Sequence, residues 1–289
     1  MTARTRNTPY TDRDEAGEIL GRELLERLAF IDTGPAHPGG RTRTRPSKST
    51  PTLVLGLCRG GVPVARAVAQ ILNTPLDFCI VQKLSTESNP ELAIGALVES
   101  RLEPKLASGL QARKHKVAVE AGSAKRYEGP AKPEAHGEVS MGMLEVLNRE
   151  ILEHVRDADA ELEASKVREA AELRRRVALY RRHKPAEPLE GKRVILVDDG
   201  AATGTTMRAA VASAKRGGAG EIIVALPVAP EEVCAELQAE ADAVICPWTP
   251  EFFVSVGAHY AHFPQVSDEE VCAVGGVMRG KPREEGTMR

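Results

Sequence analysis

Short apolar runs alternate with stretches of helical periodicity along most of this chain, and the alternation sets the first expectations. Runs at 52–57, 76–81, 194–197, 221–226 and 243–246 are rich in Val, Leu and Ile and read as fully buried strands. Between them, apolar residues recur at helical spacing: Ala16, Ile19, Leu20, Leu24 and Leu28 within 12–30, then 63–72, 160–180, 207–216 and 231–239. The helix ends carry their punctuation. Pro63 falls in a first turn, Pro230 precedes a start, and Lys215 and Arg216 lie at a negative helix end before Gly217 and Gly218. Ser267 to Glu270 has capping-box spacing for a last helix. Residues 89–96 read as a turn leading into a short third strand, and apolar spacing returns over 141–155. No internal repeat is visible. Short β-α-β crossovers imply parallel strands, so the expected fold is α/β: a single doubly wound, mostly parallel sheet with a helical and irregular hood.

The punctuation divides the chain without splitting it. One domain over 1–289 is expected, with its core in about 50–100 and 188–262. Around that core are a flexible basic loop (33–50), an insertion (101–137), a mobile helical hood segment (138–187) and a tail (279–289); residues 1–10 are polar and read as loose. Composition narrows the class. At 42% hydrophobic and 28% charged, 289 residues can bury a sizeable core, and aromatics at 3% leave that core to aliphatic side chains. A net charge of −2 gives no general reason to expect nucleic acid, and no specific nucleic-acid partner is expected. The five cysteines are odd in number and lack CxxC spacing, which favours free thiols in a reducing compartment. With no apolar leader and no run of membrane-spanning length, no membrane association is expected and the cytoplasm is the expected location.

The chemistry concentrates after the run at 194–197. There the chain reads Asp198-Asp199-Gly200-Ala201-Ala202-Thr203-Gly204-Thr205-Thr206 and enters a helical pattern at Met207. A strand, a loop of small residues and a helix N-terminus form a phosphate cradle, with threonine hydroxyls as added donors. Two adjacent carboxylates repel phosphate, so their partners must be a cation or sugar hydroxyls. An ordinary strand–turn–helix would use the same Gly and Thr for turn and cap, but it leaves the acid pair unexplained.

This stretch resembles the phosphoribosyl pyrophosphate (PRPP) binding motif of type I phosphoribosyltransferases. The resemblance implies the phosphoribosyltransferase fold, with Asp198 and Asp199 holding the ribose 2′ and 3′ hydroxyls and 200–206 holding the 5′-phosphate. It implies PRPP as co-substrate, Mg2+ as cofactor with Asp198 and Asp199 as its carboxylates, and a nucleobase-like nitrogen acceptor that displaces pyrophosphate. A homodimer is compatible with such folds. The turn Cys58-Arg59-Gly60-Gly61 lacks both G-x-G-x-x-G and a P-loop lysine; in the resembled family the loop at this place grips pyrophosphate. Arg59, Gly60 and Gly61 are therefore a second candidate anion site, a plain turn being the alternative. Lys83, just past the second strand, is a candidate for the same leaving group or a solvated lysine. The strings from Arg59 to Ala65 and from Lys83 to Ala96 look like one phosphoribosyltransferase-like group, which usually has proline where Cys58 stands.

Two further sets of residues are candidates. In the resembled family a mobile segment between the early strands and the PRPP strand closes over the reaction centre, which would place Arg176, Tyr180 and Arg181 there; a solvated helical face accounts for most charges of that run. Phe252 and Phe253 fall in a stretch that also holds the single tryptophan, Trp248, and are candidates to cover a planar base. Packing is the plainer reading for Trp248. His259 and His262 lack the glutamate of a zinc-protease helix and read as surface or loop histidines. Two other functions remain open: a PRPP-binding sensor without turnover, and, more weakly, RNA binding through the arginines of 41–48 and 174–184.

Overall fold

The structure is a computed structural model that describes residues 8–33, 50–89, 92–101, 125–127, 142–182 and 184–277. The tail expected from the sequence lies outside the described residues, as does the basic loop apart from its ends and the insertion apart from residues 101 and 125–127. Five strands form a parallel sheet: β1 (Thr52–Leu57), β2 (Leu76–Cys79), β7 (Arg193–Val197), β8 (Glu221–Ala225) and β9 (Ala243–Ile245). Their order is β2-β1-β7-β8-β9, all parallel. From β1 the chain winds outward to β2, and from β7 it winds the other way to β8 and β9. The sheet is thus doubly wound, and the winding reverses between β1 and β7. At such a switch point the connecting loops part and leave a crevice beyond the strands' carboxyl ends.

Both faces of the sheet are apolar, as continuous Val/Leu/Ile runs require. Val54, Ile195 and Ile223 share one core with α1 (Arg13–Thr33), α2 (Gly61–Leu72) and α7 (Asp268–Val277). Leu55, Leu196 and Val224 face the opposite way, onto α5 (Thr205–Arg216) and α6 (Glu231–Glu240). Each such side chain contributes about 1.5–3 kcal/mol on burial. At the start of α7 the expected capping box is formed: Glu270 N–H donates to Ser267 Oγ and Ser267 N–H to Glu270 Oε2.

A second sheet goes beyond the sequence reading. It is antiparallel, in the order β3-β4-β6-β5, from β3 (Val81–Ser85), β4 (Ala93–Glu99), β5 (Lys125–Tyr127) and β6 (Met143–Leu147). The apolar run at 76–81 is therefore two strands in two sheets, divided at the fully buried Ile80. Residues 143–147, taken from the sequence as part of the hood, are a strand, followed by the short helix α3 (Arg149–Leu152). Helix α5 lies between the sheets, where Ala209, Ala210 and Ala214 are small enough to let β4 and β7 approach from opposite sides. The Ser213 hydroxyl donates to Glu99 O across this contact. On the other face of the antiparallel sheet lies α4 (Ala158–Arg181), whose stripe of Leu162, Ala170, Leu173 and Val177 packs in one core with Leu84, Ile94 and Leu97.

The edge of the parallel sheet is closed by cations. Lys184 Nζ donates to Leu76 O at 2.7 Å, and Arg181 to Phe78 O at 2.9 Å, where Arg101 also donates. Basic side chains over an edge occupy acceptors that another strand would use. Asp77, fully buried on β2, receives Arg101 at 2.9 Å and Arg181 at 2.7 Å. Burial raises the Asp77 pKa, but the two guanidinium groups outweigh it and bring the carboxyl down to about 2.

Candidate active site at the strand switch point

The acid pair ends β7, the strand that flanks the switch point. Desolvation pushes the Asp198 pKa well up, and the neighbouring Asp199 charge adds to the shift; the Asp199 N–H, which donates to Asp198 Oδ1, opposes it. Asp199 is raised by the same burial and lowered by Arg13. Across the crevice, the turn after β1 is pressed against both acids. A Cβ on Gly60 would fall 2.1 Å from Asp199 Oδ2, and one on Gly61 would fall 2.8 Å from Asp198 Cα and 2.6 Å from Val197 O. Only hydrogen fits at either position. The two glycines expected as an anion site thus lie directly beside the acid pair, and the Cys58–Arg59 peptide that introduces them is cis.

Beyond the acids, Ala201 N–H donates to Val228 O, and the chain turns through Gly204 at φ 69°, a left-handed conformation that glycine adopts without cost. No side chain caps α5 at Gly204. The first amides of the helix, at Thr205, Thr206 and Met207, therefore have no partner within the helix and face outward with its positive end. Ala202 and Thr203 are exposed, and Thr203 and Thr205 share a hydroxyl contact of 3.1 Å. Lys83 lies opposite Ala96 on the antiparallel sheet. Glu99 meets Ser213 and Arg101 lies against Gly217, so β4 runs alongside α5 in the same direction and Lys83, opposite Ala96, lies toward the start of α5.

Arg59 points from the glycine turn toward α7, its Nη1 3.8 Å from Asp268 Oδ1. Asp268 also accepts from Arg175 and from the Tyr180 hydroxyl. Burial raises the Asp268 pKa, but these two donors and the charges of Arg175 and Arg176 outweigh it and keep the carboxyl low. Tyr180 thus reaches the neighbourhood of the turn, anchored to the same carboxylate as Arg59. Arg176 is paired with Glu172 at 2.8 Å. Arg181, expected over the reaction centre, is placed elsewhere: its guanidinium is sunk between Asp77 and Glu99, where it neutralises two carboxylates inside the protein.

The aromatic stretch divides in the same way. Trp248 is buried against Tyr10 and His259, as packing required. Phe253 stacks on His259 at 5.1 Å, whereas Phe252 is 82% exposed. His259 is not a surface residue: it is buried and its Nδ1 contacts Ser255 O at 2.9 Å. Residue 10 is not loose either. Tyr10 is fully buried, bonds to Pro227 O through its hydroxyl, and is tied by backbone bonds to His259 and Ala261.

Two functional neighbours were missed from the sequence. Arg13 donates from Nε to Asp199 Oδ2 at 2.8 Å, and the Tyr260 hydroxyl donates to Asp199 O. Each comes from a segment far from the acid pair along the chain, so spacing could not reveal it. The donor set also bears on a cation. Among the described residues no group of three metal-ligating side chains converges. A cation held mainly by water and substrate oxygens, as Mg2+ is, needs only one or two carboxylates, and the acid pair supplies those.

A doubly wound sheet with an acid pair, a glycine turn and an uncapped helix at its switch point defines an α/β protein of the class whose ligands bind beyond the strand ends. Comparison with known proteins makes this more particular. Residues 141–261 match the family described as the phosphoribosyl transferase domain. Two Mycobacterium tuberculosis proteins, from strains H37Rv and CDC 1551, that carry phosphoribosyl transferase as a provisional name are each 33% identical over 264 residues. That alignment covers 91% of this chain but 46% of each relative, so the chain spans about half the length of these curated relatives. The crystal structure of TT1426 from Thermus thermophilus is 30% identical with a TM-score of 0.58, covering 94% of this chain and all of that one. The chain belongs to the phosphoribosyltransferase family.

Proposed function

We propose that the protein transfers the 5-phosphoribosyl group of PRPP to a nitrogen of a nucleobase-like acceptor and releases pyrophosphate. The observation that carries the proposal is the packing of the Gly60–Gly61 turn against Asp198 and Asp199 beside the uncapped start of α5. On this reading a pyrophosphate cradle, a pair of hydroxyl acceptors and a phosphate cradle surround one crevice. The amides and hydroxyls of Thr203, Thr205 and Thr206 bind the 5′-phosphate. Asp198 and Asp199 accept from the ribose hydroxyls and lie near the positive charge that develops on the sugar ring as the anomeric C–O bond breaks. The amides of Gly60 and Gly61, with Arg59 and Lys83, receive the negative charge that collects on the leaving pyrophosphate. No protein nucleophile is required, because positioning and electrostatics carry the rate. When bound, Mg2+ neutralises pyrophosphate oxygens, with Asp198 and Asp199 as the carboxylates available to it or its waters. Phe252, exposed in the 247–260 stretch, is an aromatic available to cover an acceptor ring.

Phosphorus NMR of PRPP with Mg2+, the purified protein and a pool of purine and pyrimidine bases tests the reading. Free pyrophosphate that appears only with a base present is the expected result, and dividing the pool identifies the acceptor. Perturbed PRPP signals without turnover would mark a PRPP sensor. Unperturbed signals at millimolar protein would refute the site.

A further inference from the structure

Among the basic side chains near the crevice, Arg13 holds a distinct position. Its Nε lies 2.8 Å from Asp199 Oδ2, with the two side chains 10% and 13% exposed, so this is not a solvent-screened surface pair. The same guanidinium donates through Nη1 to Pro264 O at 2.7 Å and lies 3.8 Å over the Phe263 ring. Everything that places it is itself fixed. Asp12 caps the start of α1, accepting from the amides of Asp14 and Glu15 at 3.0 Å each. The preceding residues are zipped to the 259–262 segment by three backbone bonds that involve Tyr10 and Thr11. An arginine held at both backbone and guanidinium is pre-organised for what it touches.

What it touches is the second acid of the proposed ribose subsite. Two carboxylates adjacent in sequence repel each other and repel an incoming pyrophosphate. Arg13 cancels one of those charges at close range. It also turns Asp199 so that Oδ2 faces the guanidinium and the glycine turn, which leaves the remaining oxygen for a sugar hydroxyl. We propose that Arg13 is a positioning residue of the ribose subsite, holding Asp199 in the orientation and charge balance that PRPP binding needs; this rests on the phosphoribosyl-transfer reading above.

The test uses the full chain, titrated with PRPP and Mg2+ by calorimetry, with thermal unfolding measured in parallel. Relative to the wild type, Arg13→Ala is expected to weaken PRPP binding by about 10- to 100-fold, the loss of one hydrogen bond to a charged group. Guanidinium at tens of millimolar should restore part of the affinity to Arg13→Ala and leave the wild type unchanged. Arg13→Lys, which keeps the charge but not the planar fork, should fall between the two. Binding by a folded Arg13→Ala variant within twofold of the wild type would overturn the proposal. So would a loss that tracks unfolding and does not respond to guanidinium, because that is the behaviour of a purely structural pair. A wild type that does not bind PRPP at all refutes the underlying functional reading, whatever the variants do.

Discussion

A methyl group at position 60 separates the site from the scaffold. Gly60 has φ −60° and ψ −34°, so alanine suits the backbone there and restricts the unfolded chain, a gain of about 0.4–1 kcal/mol. Its Cβ, however, would sit 2.1 Å from Asp199 Oδ2. The carboxylate must retreat by roughly an ångström, which carries it out of hydrogen-bond range of the Arg13 Nε now at 2.8 Å. Losing a charge-assisted bond costs about 1.5–3 kcal/mol, so Gly60→Ala should lose about 1–2 kcal/mol net. At about 2–4 °C per kcal/mol, the melting temperature falls by only a few degrees. PRPP affinity should fall about 10- to 100-fold, because the displaced carboxylate is the one proposed to hold the ribose. Gly61→Ala is the contrast. Its Cβ would meet Val197 O at 2.6 Å and Asp198 Cα at 2.8 Å, backbone of a central strand that cannot swing aside. That variant should lose stability at or above the upper end of about 1–3 kcal/mol. Thermal unfolding paired with PRPP calorimetry reads both effects. A Gly60→Ala protein that binds PRPP like the wild type would show that Asp199 is not pinned, and the geometric argument would fail.

Asp199→Asn should lower pyrophosphate release by about 10²–10³-fold while circular dichroism stays that of the wild type, since one contact to the reacting sugar is weakened; full activity in a folded variant would remove Asp199 from the site. Arg181→Met should destabilise the protein by about 3–5 kcal/mol, because Asp77 and Glu99 then stay buried without their shared cation. A variant with unchanged melting temperature and lost PRPP binding would instead return Arg181 to the reaction centre. Acid should expose the Asp77 contribution. The folded pKa of about 2 lies below the ordinary carboxyl value, so the unfolded chain binds the extra proton. The stabilisation, about 2.5 kcal/mol, is complete above pH ~4 and is lost as pH falls through 2. Melting curves of the wild type and Asp77→Asn between pH 5 and 2 should therefore differ in slope, with the variant the flatter; parallel curves would contradict the ion-pair assignment.

The parallel sheet was legible because its strands are largely apolar runs and its helices carry apolar residues at helical spacing, bounded by proline and glycine. β1 was read as 52–57 and found as Thr52–Leu57. The acid pair and the glycine turn were legible because their chemistry is local: the residues that make each cradle are adjacent in the chain. The antiparallel sheet was not. Residues 76–81 are apolar except for Asp77, and hydrophobicity does not record that the chain changes partners at Ile80. Arg181 was misplaced for a related reason. An arginine in a charged run looks the same whether it faces solvent or a buried pair, and nothing in sequence linked it to Asp77, inside a buried run, or to Glu99. Arg13 and Tyr260 reach Asp199 across 186 and 61 positions, distances over which no spacing rule operates.

That separation also orders events during synthesis. β1 stands between β2 and β7, and its pairing with β7 joins Thr52 to Arg193. At about 5–20 residues per second, the roughly 140 intervening residues take about 7–28 s to emerge. Through that interval one long edge of β1 has no native partner, and Arg13 has no carboxylate to meet. The last tie between the chain's early and late segments, from Tyr10 and Arg13 to the 257–264 stretch, waits longer still. A nascent chain can therefore hold a folded α1–α2 pair well before it holds a binding crevice, and slowing the ribosome between residues 100 and 190 would lengthen the exposure of β1 without altering the finished protein.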